Sequence, residues 1–563
     1  MTTLITRKVP AVAERALVAA GVHPLLARVF AARGVEAAVE LEPSFRALIP
    51  PTELKNADAA AALLADHIAS GRRLMIVADY DCDGATACAV ATRAFAAFGA
   101  KVEYFVPNRF ETGYGLSPQV VDLAAAAKPD LLITVDNGIG SCDGVAYAQR
   151  RGIATLVTDH HLPGDQLPDA ECIVNPNQPG CSFASKSIAG VGVIFYVMLA
   201  LRAELRRRGW FAVRREPNLA SLLDLVALGT VADLVKLDRN NRILVAQGLR
   251  RMRAREMQPG VAALFGVAGR EPQRAGTFDL GFALGPRLNA AGRLADMRLG
   301  IEALITDDYA RALNIARQLD QLNNERRAVE DAMQRDADAA IATIGAVDAT
   351  SLVLYDKSWH QGVVGLVAGR VKDREHVPVI ALAPAGAGVA RGSGRSIPGL
   401  HLRDALDLVS KRAPSLLLGF GGHAAAAGVS LRIDDIDRFR AEFDAAVRAL
   451  ADSASFARTV ETDGSLELEY ATLEVARLLG DGVWGQGFPS PSFADEFAIE
   501  SQRLVGDKHL RLRVARADRR FDAILFRRDE PLPDRVRAAY ALAIDEWNGV
   551  QSMELRFEHA QAA

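Results

Sequence analysis

Residues 74–86 read LMIVADYDCDGAT, five apolar residues followed by Asp79, Asp81 and Asp83 within five positions. A short apolar run that stops at an acid and then meets a glycine reads as a buried strand feeding a turn and a helix. Three carboxylates this close repel one another and bind protons more tightly unless a cation sits among them. The stretch therefore predicts an α/β element and a metal together.

The same pattern repeats outward. VEYFVP (102–107), LLITVD (131–136), ATLVTD (154–159) and CIVNP (172–176) follow, with helical stretches between them, which is the alternation of a largely parallel α/β sheet. Three of the runs end in aspartate: Asp79, Asp136 and Asp159. In open α/β sheets ligands bind outside the carboxyl ends of the strands, so side chains distant in sequence converge there. VTDHHLPG (157–164) adds His160 and His161, and LGTVADLV (228–235) places Asp233 inside an apolar run. A buried carboxylate without a partner costs several kcal/mol, so each of these acids needs one. Carboxylates with one or two imidazoles suit Mn²⁺ or Mg²⁺ better than metals that prefer thiolates. There are enough ligands for two ions, and a pair roughly 3.5 to 4 Å apart can activate water and hold both oxygens of an in-line phosphoryl displacement. The residues by themselves predict a two-metal phosphohydrolase.

Two other readings of residues 79–86 compete. An EF-hand loop opening at Asp79 requires a bidentate glutamate at its twelfth position and a helix before it; here that position is Val90 and the preceding run is strand-like. An aspartyl-nucleophile phosphatase motif wants threonine directly after the glycine, whereas Ala85 separates Gly84 from Thr86. The second stays as the weaker alternative.

The chain has 563 residues, too many for one hydrophobic core, so several domains are expected. Half the residues are hydrophobic and 24% charged, the composition of a folded globular chain. No apolar run reaches the roughly 18 residues of a membrane span, and the N-terminal residues lack a secretory signal, so a cytoplasmic location without membrane contact is expected. The five cysteines form no C-x-x-C pair, which argues against structural zinc and a disulfide framework. Net charge is only −3, yet residues 239–300 hold eleven arginines against four acids. That excess is either a solvated helical face or a phosphate-binding surface.

Residues 301–344 contain neither glycine nor proline, and Val329, Met333, Ala337 and Ile341 recur every four positions, as one face of a long helix would. A second α/β-like segment follows, with SLVLYD (351–356), PVIALAP (378–384) and GFGGHAAAAG (419–428). The last hundred or so residues alternate as short strands, which predicts a small β-barrel.

DYDCDG, VDNG and DHH, in that order, resemble the DHH phosphoesterase superfamily, and GGHAAAAG (421–428) matches the signature of the associated DHHA1 domain. Length and the trailing barrel make the whole similar to that superfamily's exonucleases specific for single-stranded DNA. The resemblance implies an N-terminal segment 1–50, a DHH domain with a parallel-sheet core over 51–300 and a long connecting helix over 301–345. An α/β DHHA1 domain over 346–452 and a barrel like an oligonucleotide-binding (OB) fold over 453–563 complete it. It implies two ions, Mn²⁺ or Mg²⁺, held by Asp79, Asp81, Asp83, Asp136, His160 and Asp233, with His161 beside them as a catalytic contact to the scissile phosphate. Arg109 and Tyr114, with Arg391, Ser393 and Arg395, are the implied 5′-phosphate contacts. Arg287, Asn289 and Arg293 would form a backbone track. His423 would meet the metal site or nucleic acid. Trp484, Phe488 and Phe526 are available for base stacking in the barrel, although core packing is the plainer use of each.

The activity implied is 5′-to-3′ hydrolysis of single-stranded DNA to 5′-mononucleotides in recombination and repair, with single-strand-binding protein and a helicase as implied partners. A phosphoesterase of oligonucleotides, cyclic dinucleotides or polyphosphate is the first alternative. A catalytically silent single-strand-binding protein is the second.

Overall fold

The computed structural model describes residues 2–108, 114–344, 350–506, 508–547 and 549–563. It divides into two compact units, Thr6–Gln321 with Glu461–Ala563, and Met1–Ile5 with Leu322–Val460.

The larger unit is built on a five-stranded parallel sheet in the order Lys101–Phe105, Arg73–Ala78, Leu131–Val135, Ala154–Thr158, Cys172–Val174. Leu74–Ala78 and Leu131–Val135 are buried throughout, as strands covered on both faces must be. One face packs on the helices Pro118–Ala125 and Cys142–Arg150, the other on Cys82–Phe98 and Gly190–Arg207. The ladder continues one residue past three strand ends. Asp79 N–H donates to the Val135 carbonyl, Asp136 N–H to Thr158 and Asp159 N–H to Val174, at 3.3, 3.0 and 3.1 Å. Three acids are thereby set along adjacent strand ends at the carboxyl edge.

The predicted long helix runs Tyr309–Ile344, preceded by a separate helix, Arg298–Ile305. The C-terminal strands form the predicted barrel, closed in the order Phe493–Val505, His509–Arg516, Arg519–Phe526, Val550–Ala562, Arg535–Trp547. The N-terminal helices Ala11–Ala19 and Pro24–Ala31 precede Arg33, whose guanidinium donates to both Asp463 oxygens at 2.7 and 2.9 Å. Phe30 stacks on Trp484 and Phe488, both buried. Two of the three aromatics available for base stacking therefore serve packing, whereas Phe526 is 44% exposed.

The smaller unit carries a mixed sheet in the order Leu417–Gly422, Ala426–Arg432, Val389–Arg395, Val379–Pro384, Leu352–Tyr355. GGHAAAAG is its tight hairpin, with Gly421 paired to Gly428.

Candidate metal centre

Asp81 caps the Cys82–Phe98 helix: its Oδ1 accepts from the Asp83 and Gly84 amides at 2.9 and 3.0 Å, satisfying donors that a helix start leaves orphaned. Asp83, inside the first turn, is fully buried and gripped by another helix N-terminus, accepting from Gly190 N–H at 2.7 Å and Val191 N–H at 2.9 Å. Asp136 adopts φ +63°, an uncommon conformation for a non-glycine residue and one that clusters at functional sites. Its carboxylate occupies space that a side chain at Gly190 would fill, since a Cβ there would lie 2.4 Å from Asp136 Oδ1. Asp233 sits just past the end of helix Leu223–Ala232.

These acids meet at His160. Its Nε2 is 3.1 Å from Asp136 Oδ1, 3.5 Å from Asp233 Oδ2 and 3.9 Å from Asp83 Oδ2. Three overlapping sets result, Asp136–His160–His161, Asp83–His160–Asp233 and Asp79–Asp81–Asp136, each with ligand atoms within 4.8 Å of one another. The structure thus brings together all seven of the crevice residues read from the sequence.

The electrostatics are those of a site that needs cations. Burial and the neighbouring Asp81 push the Asp83 carboxyl up to about 7. Burial, then Asp83, Asp81 and Asp79, raise Asp136 well above the usual carboxylate range, and burial followed by Asp83 does the same to Asp233. Burial, assisted by His161, holds His160 down at about 4, so the ring is neutral and its nitrogen can donate an electron pair. Asp136 Oδ1 and His160 Nε2 are buried with no hydrogen-bond partner among the described residues. No lysine or arginine there pairs with Asp83, Asp136 or Asp233. Carboxylate oxygens and an imidazole nitrogen, crowded and unneutralised, fit hard divalent ions.

His161 differs from its neighbour. Burial alone would lower it, but the hydrogen bond from its Nδ1 to Asp159 at 2.7 Å and that carboxylate's charge raise it to about 9. Asp159 also accepts from the amides of Ile139, His160 and His161. It anchors the His161 imidazole and the backbone of both histidines, and the site residues read from the sequence did not include it; its place after the apolar run ATLVT was the available signal. The Gly190 and Val191 amides were missed as well, and the small-residue start of IAGVGV was their only sign.

Tyr114 lies beside the crevice, its hydroxyl 3.2 Å from His161 Nδ1 and donating to the Asp136 carbonyl at 3.3 Å. Arg109 lies outside the described residues. Asn289 accepts from the Cys82 amide at 2.8 Å. Arg287 is buried and bonded to Asp320, and Arg293 is half-buried in the last turn of the same helix, Gly285–Leu294.

In the smaller unit, Arg395 donates to Ser393 Oγ at 2.7 Å. Both side chains lie against the first turn of helix Val364–Glu375, where a Cβ at Gly365 would come within 3.0 Å of each. Arginine, hydroxyl and a helix N-terminus together make an anion cradle. Arg391 and His423 are exposed.

Residues 73–230 match the DHH family N-terminal domain, 348–449 the DHHA1 domain and 462–559 the RecJ OB domain. Over 556 residues the chain is 49% identical to the single-stranded-DNA-specific exonuclease RecJ of Salmonella typhimurium (strain LT2), covering 96% of each. The chain belongs to the RecJ family. Among solved RecJ structures, that of the Thermus thermophilus protein in complex with Mn²⁺ matches with a TM-score of 0.83 at 30% identity, over 100% of this chain and 80% of that one. The Mg²⁺ complex of the same RecJ matches with a TM-score of 0.77 at 28% identity, over 100% and 79%.

Proposed function

We propose that this chain is a divalent-metal-dependent exonuclease that degrades single-stranded DNA from its 5′ end and releases 5′-mononucleotides. The observation that carries this reading is the gathering of five aspartates and His160 at the carboxyl edge of the parallel sheet, in a chain related to RecJ over nearly its whole length.

Asp79, Asp81, Asp83, Asp136, His160 and Asp233 are the ligands. When bound, Mn²⁺ or Mg²⁺ supplies an activated water and neutralises charge in an in-line phosphoryl displacement. The protein's own groups do the rest. Helix amides orient Asp81 and Asp83, Asp159 fixes the His161 imidazole and the His160 backbone, and His161 offers a hydrogen-bond donor to a phosphate oxygen as charge develops on it. Arg391, Ser393 and Arg395, with the first turn of Val364–Glu375, receive the terminal phosphate. Tyr114, next to His161, bounds the place of the scissile nucleotide. The work is recombination and repair in the cytoplasm, with single-strand-binding protein and a helicase as partners that expose or deliver the strand. The three segments 51–300, 346–452 and 453–563 act as catalytic, phosphate-capturing and strand-holding domains.

The test is digestion of end-labelled single strands in Mn²⁺ by wild type and Asp136→Ala, with a dinucleotide as competing substrate. The expected result is mononucleotide release from the long strand by wild type and a loss in the variant well beyond the roughly 100-fold that supporting groups cost. Equal activity in the two proteins overturns the metal-centre reading; preference for the dinucleotide assigns a smaller substrate.

A further inference from the structure

On the ligand reading above, the acids at 79–83 must hold position against mutual repulsion, and their loop leans on the helix Gly285–Leu294. Asn289 Oδ1 accepts the Cys82 N–H at 2.8 Å. Near the other end of that helix Gly292 meets the backbone between Asp79 and Asp81: a Cβ there would lie 1.9 Å from the Tyr80 carbonyl oxygen, so only glycine permits the approach. At the start of the helix, Gly285 lies against Ala232, the neighbour of Asp233, where a Cβ would come within 3.0 Å. One helix therefore touches the loop bearing three of the acids and the turn bearing a fourth.

Its remaining anchor is Arg287. Nε and one terminal nitrogen of the guanidinium lie 2.9 and 2.8 Å from Asp320 Oδ1, and the other terminal nitrogen donates to the Ala283 carbonyl at 2.7 Å. Asp320 belongs to the long helix. That helix continues into the second unit, where Glu330 is held by Arg326 at 2.6 Å and Arg370 at 2.7 Å. An arginine of a nuclease is first suspected of binding phosphate, but this side chain is only 10% exposed and its donors face an acid and a carbonyl of its own fold.

We infer that Arg287 and Asn289 are positioning residues: they fix the Asp79–Asp83 loop to the long helix, so that the Arg287–Asp320 pair tunes the crevice's hold on its divalent ions without contacting nucleic acid. Groups outside the ligand shell that hold ligands in place act in this way on metal affinity.

Asp320→Asn separates the two roles, because it keeps the side chain's size and frees Arg287 from its acid. The expected result is a Mn²⁺ half-saturation, by titration of the full chain, raised on the order of tenfold. Asp320→Glu is expected to restore it to within about threefold. Affinity for single-stranded DNA measured in EDTA is expected to keep its salt slope. If Arg287 is instead a phosphate ligand, Arg287→Gln lowers that slope by about one and leaves Mn²⁺ binding as in wild type; this result, or a wild-type Mn²⁺ response in Asp320→Asn, overturns the inference. Asp136→Ala run beside it tests the ligand reading separately, since Mn²⁺ uptake unchanged in that variant undermines the centre itself and not the strut.

Discussion

In the crevice, Asp83, Asp136 and Asp233 face one another across a neutral His160 without a lysine or arginine pairing with them among the described residues. Along residues 239–300, several of the arginines meet acids, among them Arg251 on Glu256 at 3.3 Å, Arg270 on Asp279 at 3.5 Å, Arg274 on Glu546 at 2.5 Å, Arg287 on Asp320 at 2.8 Å and Arg298 on Asp296 at 2.5 Å. Both regions stand out in the sequence as dense charge of one sign. The first leaves its charge unanswered by any lysine or arginine among the described residues, and that is what marks a site for an external ion. Six of the eleven arginines are answered by acids, as near as two residues along the chain and as far as the barrel, so a good part of their local excess is structural.

The contrast is sharpest where a paired charge is broken. Arg33 and Asp463 are each 1% exposed, and Asp463→Ala strands a buried guanidinium. Denaturant unfolding is expected to report a loss of roughly 3 to 5 kcal/mol. A variant as stable as wild type would mean that the pairing carries no weight in this protein.

Within the crevice, Asp159→Asn keeps the shape of the anchor but weakens its hold on the His161 imidazolium. Exonuclease turnover is expected to fall on the order of tenfold with the number of bound ions unchanged. Loss of an ion instead would place Asp159 among the ligands.

Acidity probes the unanswered charge directly. The folded Asp83 carboxyl sits at about 7 against an ordinary 3.8, so the folded metal-free protein holds a proton that the unfolded chain releases. That contribution to stability is complete below about 3.8 and is lost as pH rises through 7. Raised Asp136 and Asp233 act in the same direction. The thermal midpoint of metal-free protein should decline from pH 5 to pH 8, and Mn²⁺ should recover more of it at pH 8 than at pH 6, since metal and protons compete for the same oxygens. A metal-free midpoint that climbs across this range would show that the carboxylates are already neutralised.

The smallest effect is expected at a paired surface arginine. Arg298→Gln removes one exposed ion pair, and activity should stay within about twofold with the salt dependence of DNA affinity unchanged. A lower slope would make Arg298 a phosphate contact.

The parallel sheet, the acids at its edge, the long helix and the barrel were legible because each depends on a local pattern: an apolar run ending in aspartate, a four-residue repeat, short alternating strands. What stayed hidden depends on partners. Arg287 and Asn289 look alike in sequence whether they face DNA or the protein, and their destinations, Asp320 and the Cys82 amide, are 33 and 207 residues away. Trp484 and Phe488 have the composition of stacking platforms, but Phe30, from a stretch with no recognisable pattern, packs on both. The amides of Gly190 and Val191 that hold Asp83 are backbone groups, which no motif spells out.

The most direct measurement is the number of Mn²⁺ ions bound per chain, by calorimetry or by electron paramagnetic resonance of free Mn²⁺. Two ions on the wild type and fewer on Asp136→Ala are predicted. One ion or none on the wild type, or an identical count on both proteins, would contradict a paired-metal centre.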